Sequence, residues 1–450
     1  MKKNFPEHWV FDRIDNILYL VPTGVNEYEG EKKYYSTGSI QKDFYLEEGI
    51  FSFNERPSRA NRIAKRNDVF QARMKNTNKP IIINDPTFEG ALFSTGFLQL
   101  RPYGNTYIEK FLYYYIQSSD FLKQRDELAT GSTQEALTDS NAVNIIIPLP
   151  PLNEQKRIAE KLDAILPKVK SARTRLEKIP AILKKFRQSV LAAACSGKLT
   201  DDWREEYAQR TGKKLPKWEE KKLNEIIYNI QYGYTSKSFS QGEIKYLRIT
   251  DIQNGKVNWE TVPFCQIEKN VINKYLLEKN DILFARTGAT TGKSFLIKDC
   301  PPSVFASYLI RIKPNTNIVS AEYLYFFFQT EYYWLQINEN VAGIAQPNCN
   351  AQKLSSILIP LPPLEEQLEI VRRVEKLFAL ADSIEEKYKK SYEHLEKLEQ
   401  AILAKAFRGE LVAPDPNDEP AEELLKRILE EKAKIEQNNK RNNKNKKKQK

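Results

Sequence analysis

The chain has 450 residues, room for about three structural units at roughly 150 residues each, and carries 70 Lys and Arg against 59 Asp and Glu, a formal charge of +11. That charge favours a polyanionic partner, but seven of the eleven charges sit in Asn438 to Lys450, which holds no acid. Four widely spaced cysteines without a C-x-x-C pair and only two histidines, His8 and His394, argue against a disulfide framework, a zinc site or a Ser-His-Asp triad; no apolar run reaches the roughly 20 residues of a membrane span and no signal-peptide core opens the chain, so a cytoplasmic protein without membrane partners is expected.

In chain order, residues 1–150 read as a first globular domain that mixes β-rich runs such as Pro80 to Ile83 with helical runs such as Ile108 to Lys123. Arg56, Arg59, Arg62 and Lys65 recur every three residues; they suit a row of cations along a phosphate backbone, or a solvated basic turn. Asn84-Asp-Pro-Thr-Phe88 echoes the motif with which amino-methyltransferases hold their target nitrogen, but it lacks the second proline and a Gly-rich cofactor turn, so a plain turn is expected. A strand from Val143 should end at the proline-rich junction 148–151, with a helix starting at about Asn153.

Residues 151–199 then place Ile158, Leu162, Ile165, Val169, Ala172 and Leu176 at a sustained 4-3 spacing, a seam that calls for another helix against it. Kinks are expected near Pro167 and Pro180, and a C-cap at Gly197. Residues 200–215 read as a linker. A second globular domain, 216–362, has strand-like runs at Asp281 to Ala285 and Tyr308 to Ile312 and a helical run from Ser320 to Gln336. Within it, Arg286-Thr-Gly-Ala-Thr-Thr-Gly-Lys-Ser294 looks like a phosphate-binding loop, but three residues rather than four separate Gly288 from Gly292. A polar loop able to approach phosphates or base edges is the better reading. Gln231-Tyr-Gly-Tyr-Thr-Ser-Lys237, Arg248 and Gln346-Pro-Asn348 add aromatics, a flexible glycine and side chains able to read base edges.

Residues 363–412 form a second long helix from about Glu365, without proline between Pro363 and Pro414, its seam broken at Ser391 and Gly409 as its C-cap. At 1.5 Å per residue it should span about 65 Å. The pairs Glu365/Glu366 and Glu385/Glu386 read as solvated salt-bridging faces. Residues 413–450 are expected to hold a short helix, Ala421 to Glu436, and a disordered basic tail.

The chain is a tandem duplication. Residues 148–155, PLPPLNEQ, return as 360–367, PLPPLEEQ, at an offset of 212; Leu191 to Leu199 aligns with Leu403 to Leu411 at the same offset. Fainter echoes link Lys33-Tyr34 to Lys245-Tyr246, Ile40-Gln41 to Ile252-Gln253 and, at 213, Asn67-Asp68 with Ala72-Arg73 to Asn280-Asp281 with Ala285-Arg286. The globular halves have diverged more than the junctions and helices, and no catalytic constellation stands out.

The twice-repeated PLPPL-x-EQ helix opening, the small-residue-plus-Gly helix endings, Phe284 to Lys293, Gln346-Pro-Asn348 and a Trp near the start of each half (Trp9, Trp218) resemble the specificity subunits of Type I restriction-modification systems, over about residues 1–412. The resemblance implies an α/β (α+β) fold with two globular target-recognition domains separated by two long antiparallel coiled-coil helices. It implies a non-catalytic subunit that reads a bipartite, asymmetric site in double-stranded DNA and docks modification (methyltransferase) and restriction/translocase subunits. S-adenosylmethionine, ATP and Mg belong to those partners, none of them to this chain. Candidate DNA-contacting residues are Arg56, Arg59, Arg62, Arg73, Lys75 and Gln134 in the first half. In the second they are Tyr232, Tyr234, Thr235, Lys237, Arg248, Arg286, Thr287, Thr290, Thr291, Lys293, Gln346 and Asn348. The alternative is a structural coiled-coil protein with globular ends.

Overall fold

A computed structural model describes residues 6–40, 46–253, 255–339 and 349–448. The chain divides into two compact units, Met1–Leu176 with Lys390–Lys450, and Glu177–Lys389. Each unit therefore joins one globular half to stretches of both long helical regions, and the first is assembled from both ends of the sequence.

In unit 1 the strands are β1 (Val10–Arg13), β2 (Leu18–Leu20), β3 (Lys32–Tyr35), β4 (Gly49–Phe51), β5 (Ala60–Ile63), β6 (Val69–Ala72), β7 (Ile81–Ile82), β8 (Leu92–Ser94), β9 (Phe97–Pro102) and β10 (Ile146–Leu149). They make sheets ordered β2-β9-β6-β7 and β4-β3-β8-β5, and a two-stranded ribbon β1-β10. In unit 2 the strands are β11 (Glu219–Lys222), β12 (Ile227–Tyr232), β13 (Ile244–Leu247), β14 (Ile252–Gln253), β15 (Lys256–Val257), β16 (Phe264–Cys265), β17 (Ile282–Ala285), β18 (Ser294–Leu296), β19 (Ser303–Phe305), β20 (Leu309–Pro314) and β21 (Leu358–Leu361). Here the sheets are β12-β20-β17-β18 and β16-β13-β19, with ribbons β11-β21 and β14-β15. The duplication thus extends to topology: β3 pairs with β8 in parallel, and β13 with β19 likewise.

The proline junctions differ from expectation. Pro148 and Pro360 lie inside β10 and β21, opposite Phe11 and Glu220. A two-stranded ribbon leaves one side of each strand unpaired, so the missing N–H breaks no ladder. The Pro148 carbonyl accepts from the Tyr107 hydroxyl and the Pro360 carbonyl from the Tyr323 hydroxyl.

Both repeated Glu-Gln pairs are buried and fasten helix to globular half. Gln155 Oε1 accepts from Ile108 N at 2.9 Å, and its Nε2 donates to Pro150 O. Gln367, 212 residues on, accepts from Ser320 N at 2.8 Å and donates to Pro362 O. These amides serve the free N–H groups at the starts of helices Glu109–Tyr115 and Ala321–Phe327. Glu154 accepts from Trp9 Nε1 at 3.1 Å, with His8 Nε2 2.9 Å away. Glu366 accepts from Trp218 Nε1 at 2.9 Å, from Thr200 Oγ1 at 2.6 Å and from both Arg204 Nε and Nη2 at 2.7 and 2.9 Å. Glu366 is accordingly a buried anchor and not the solvated face expected of it, because a Trp, an Arg and a Thr converge on it. Glu385 does sit on a salt-bridging face, with Arg187 and Lys389.

The first helical region is helix Leu152–Leu176, then helix Ile179–Cys195, which begins with Pro180 in its first turn. Proline at that position gives up an N–H that a helix start leaves free anyway. Pro167 lies inside the first segment. Helix Leu364–Ala406 runs unbroken for 43 residues. Within unit 1, Ile158 and Leu162 share a core with Leu403, Ala406 and Phe407, and Arg173 pairs with Glu399. Within unit 2, Leu191 and Ala194 share a core with Ile370 and Val374, and Arg187 pairs with Asp382. The two runs oppose each other in both units, so the helices pack antiparallel. Gly197 and Gly409 close their helices at φ 83° and 73°, the left-handed region open to glycine.

Two further expectations change. The stretch expected to be a linker carries helix Asp201–Thr211, stabilised by acids in its first turn, by Gly212 in the left-handed region after it, and by Arg373 on Asp202. The last helix runs from Ala421 to Lys448 instead of stopping at Glu436. No Gly or Pro follows Pro420 to end it, and Glu422 and Glu423 stand in its first turn, where acids match the helix dipole. It docks in unit 1 through buried Ala421, Leu424 and Ile428 and through Lys432 Nζ on Asp15 O at 2.8 Å. Among the described residues no helix is long and apolar enough to cross a membrane.

Candidate nucleic-acid interface

The sheet β2-β9-β6-β7 of unit 1 and its counterpart β12-β20-β17-β18 of unit 2 are each set from inside by a buried acid. Asn67 and Asn280 turn the chain at φ 66° and 76°, a conformation asparagine tolerates better than most residues. Asp68 and Asp281 follow, fully buried. Asp68 accepts from Arg101 Nε at 2.6 Å, Gln99 Nε2 at 2.7 Å and Lys65 N at 2.7 Å. Asp281 accepts from Glu278 N at 3.0 Å and pairs with Arg311 Nη1 at 3.3 Å. Burial pushes the Asp281 carboxyl up, while the Glu278 N–H and Arg311 pull it down. The only sequence signal for these pairs was the Asn-Asp echo at 213.

In unit 2 the antiparallel pairings of β12 with β20 and of β17 with β20 and β18 bring three chain segments to one sheet end. These are Tyr232 with the loop to Lys237, the Arg286–Lys293 loop, and Tyr308 before β20. The Arg286 guanidinium lies 4.9 Å from the Tyr232 ring centre, a cation–π contact. Tyr232 is 39% exposed and Tyr308 62%, so both rings offer a face to a partner. The Tyr232 hydroxyl also accepts from Ala351 N at 3.1 Å. Thr287, Thr290 and Thr291 are half-buried along the loop, Tyr234 is half-buried, and Thr235, Lys237 and Lys293 are exposed. The segment Gly288–Thr290 is a single 3-10 turn after β17. Gly233 is required for packing and not for flexibility: a Cβ there would collide with the backbone carbonyls of Phe305 and Ala306. Arg248 is engaged locally, donating through Nη2 to Asp251 Oδ1 at 2.8 Å, which holds the guanidinium pKa above its usual value. Gln346 and Asn348 lie outside the described residues.

The corresponding end of the unit 1 sheet holds Arg73 and Lys75 after β6, and Gly96 where unit 2 has Tyr308: Arg73 N donates to Gly96 O as Arg286 N does to Tyr308 O. The row expected from Arg56, Arg59, Arg62 and Lys65 does not form, because Arg62 lies in strand β5, whose side chains alternate between faces. Arg62 points inward and is buried, Arg59 is exposed, and Arg56 folds over the Phe53 ring at 4.0 Å. Lys75 Nζ meets Glu135 Oε2 at 2.5 Å, and Gln134 beside it is exposed. Within Asn84 to Phe88, Pro86–Phe88 is a 3-10 turn capped by Asp85, which accepts from Thr87 N. Sequence reading missed Tyr308, Glu135 and Asp139 as members of these sheet ends; only the fold brings them there.

A framework built twice, with cations at both matching sheet ends and with hydroxyls and exposed rings added at the second, is that of a duplicated polyanion-binding protein. The model of the Type I restriction modification DNA specificity domain matches residues 23–181 and 216–394, and the chain belongs to that family. It is 34% identical over 367 residues to the Type I restriction enzyme EcoBI specificity subunit of Escherichia coli, covering 77% of this chain and 76% of that one. It is 26% identical over 422 residues to the MjaVIII specificity subunit of Methanocaldococcus jannaschii, covering 90% and 93%. Among solved structures, a chain from work on complex assembly and conformational transition of the type I R-M system matches with TM-score 0.71 at 22% identity, over 90% of this chain and 99% of that one. The HsdS subunit from Thermoanaerobacter tengcongensis matches with TM-score 0.60 at 22% identity, over 90% and 98%. These two show the shared fold.

Proposed function

We propose that this chain reads DNA sequence for a cytoplasmic Type I restriction-modification complex and performs no chemistry itself. Each sheet end contacts one half of a split, asymmetric site, and the antiparallel helices dock modification and restriction subunits. Those subunits carry S-adenosylmethionine, ATP and Mg. The observation that carries this reading is the contrast between an equal framework and unequal tips. Glu154 matches Glu366 and Asp68 matches Asp281, while Arg286 meets two exposed tyrosines where Arg73 meets Asp139 and Gly96. Equal frames place two readers, and unequal tips make their targets differ. Co-expression with cognate modification subunits, followed by mapping of methylated adenines, should return one two-part motif; a contiguous motif or none contradicts the proposal.

The basic end of the last helix supplies charge and not sequence reading. Among the residues whose side chains are described, Ile435 is the last of that helix to pack on the unit 1 core, and removing residues 438–450 should leave unit 1 folded. Non-specific affinity and the steepness of its salt dependence should both fall, with the methylated motif unchanged. A changed motif in the truncated protein would show that the tail reads bases.

A further inference from the structure

Unit 1 contains a cation pair with too little counter-charge. The Arg62 side chain is 0% exposed. Its Nη1 donates to Val21 O at 2.6 Å, while its Nε and Nη2 have no hydrogen-bond partner among the described residues. Arg73, 12% exposed, donates through Nη2 to Asp139 Oδ1, and the same oxygen lies 3.7 Å from Arg62 Nη2. One carboxylate oxygen is therefore shared by two guanidiniums. Burying two cations against one anion leaves a net charge and idle donors, a costly arrangement unless something completes it. The strain is visible on Arg62, whose pKa burial and the neighbouring Arg73 pull down to about 10, Asp139 only partly restoring it.

Asp139 itself is 51% exposed, so it can swing out into water. It sits in the same segment as Glu135, which covers Lys75. A phosphodiester has two non-bridging oxygens and suits two guanidinium forks better than a single shared carboxylate oxygen does.

We propose that Asp139 is a built-in stand-in for a DNA backbone phosphate, occupying a two-arginine phosphate site on Arg73 and Arg62 and giving way when the duplex docks. The inference rests on the DNA-reading function proposed above and deepens it. Holding the pair with a tethered carboxylate keeps the buried cations partly neutralised between binding events. It also makes every encounter with DNA compete against an internal anion, which weakens binding to any sequence alike, because phosphate contacts carry no base information.

The test uses the complex of the full chain with its modification subunits and a duplex carrying its own methylation motif. Asp139→Asn and, as a second variant, Asp139→Ser should bind that duplex about tenfold more tightly than wild type, the size of one charge-assisted contact, and methylate the same motif. Arg73→Gln should bind about tenfold more weakly and flatten the dependence of log affinity on log salt by about one. Asp139→Asn added to Arg73→Gln should recover less than the tenfold gained in the wild-type background, because only Arg62 is left to hold the phosphate; a full tenfold gain would mean that Asp139 repels DNA without holding the arginines, and would overturn the stand-in role. If both Asp139 variants bind as wild type does, or weaken as Arg73→Gln does, Asp139 merely supports Arg73 and the stand-in role is overturned. A wild-type complex that binds its motif while the variants fail to tighten overturns this inference alone; a wild-type complex without affinity for its motif overturns the DNA-reading function with it.

Discussion

Glu366→Ala should cost unit 2 about 3–5 kcal/mol, the range for removing one partner of a buried ion pair. The carboxylate is fully buried and accepts four hydrogen bonds from Thr200, Arg204 and Trp218. Its loss leaves the Arg204 guanidinium and the Trp218 N–H without their acceptor, beside the first ribbon of the globular half. Glu366→Gln keeps the shape and one acceptor oxygen, and should cost less, about 1–3 kcal/mol. Chemical denaturation with hydrogen exchange should show the loss concentrated in residues 196–225 and 358–370. Equal stability of Glu366→Ala and wild type would mean that the repeated Glu does not anchor helix to domain.

The second large effect is expected at Phe407. Its ring meets Phe111 and Tyr115 edge-on, with centres 5.3 and 5.2 Å apart, inside the unit 1 core. Phe407→Ala should destabilise unit 1 by about 3–5 kcal/mol, as large-to-small changes in cores do. Because Phe407 ends the second long helix while Phe111 and Tyr115 belong to the first globular half, the loss should appear in hydrogen exchange at both ends of the sequence. A response confined to residues 400–448 would contradict a common core.

The duplication was legible because its repeated residues carry buried polar contacts. Glu154, Gln155, Glu366 and Gln367 each make buried hydrogen bonds that tie helix to globular half, so the motif reads clearly in both copies. The helix seams were legible from periodicity, and the C-caps from Gly197 and Gly409. The sheet pairing was not. Short strands such as β7 and β16, of two residues each, have no period to detect, and the parallel pairs β3-β8 and β13-β19 join residues about 58 positions apart. Nor does local sequence reveal that Arg62 turns inward or that Asp139, 66 residues beyond Arg73, closes on it. The spacing of three among Arg56, Arg59 and Arg62 suggested a shared face that a strand, with period two, cannot provide.

Two alike frames are proposed to carry two independent readers. Residues 216–362 should be exchanged for the matching segment of a relative with a known and different motif, and the hybrid co-expressed with the modification subunits while methylated adenines are mapped genome-wide. One half of the split motif should become the relative's half, the other half staying as in the parent. A hybrid that retains both parental halves, or loses both while remaining folded and assembled, would contradict the account.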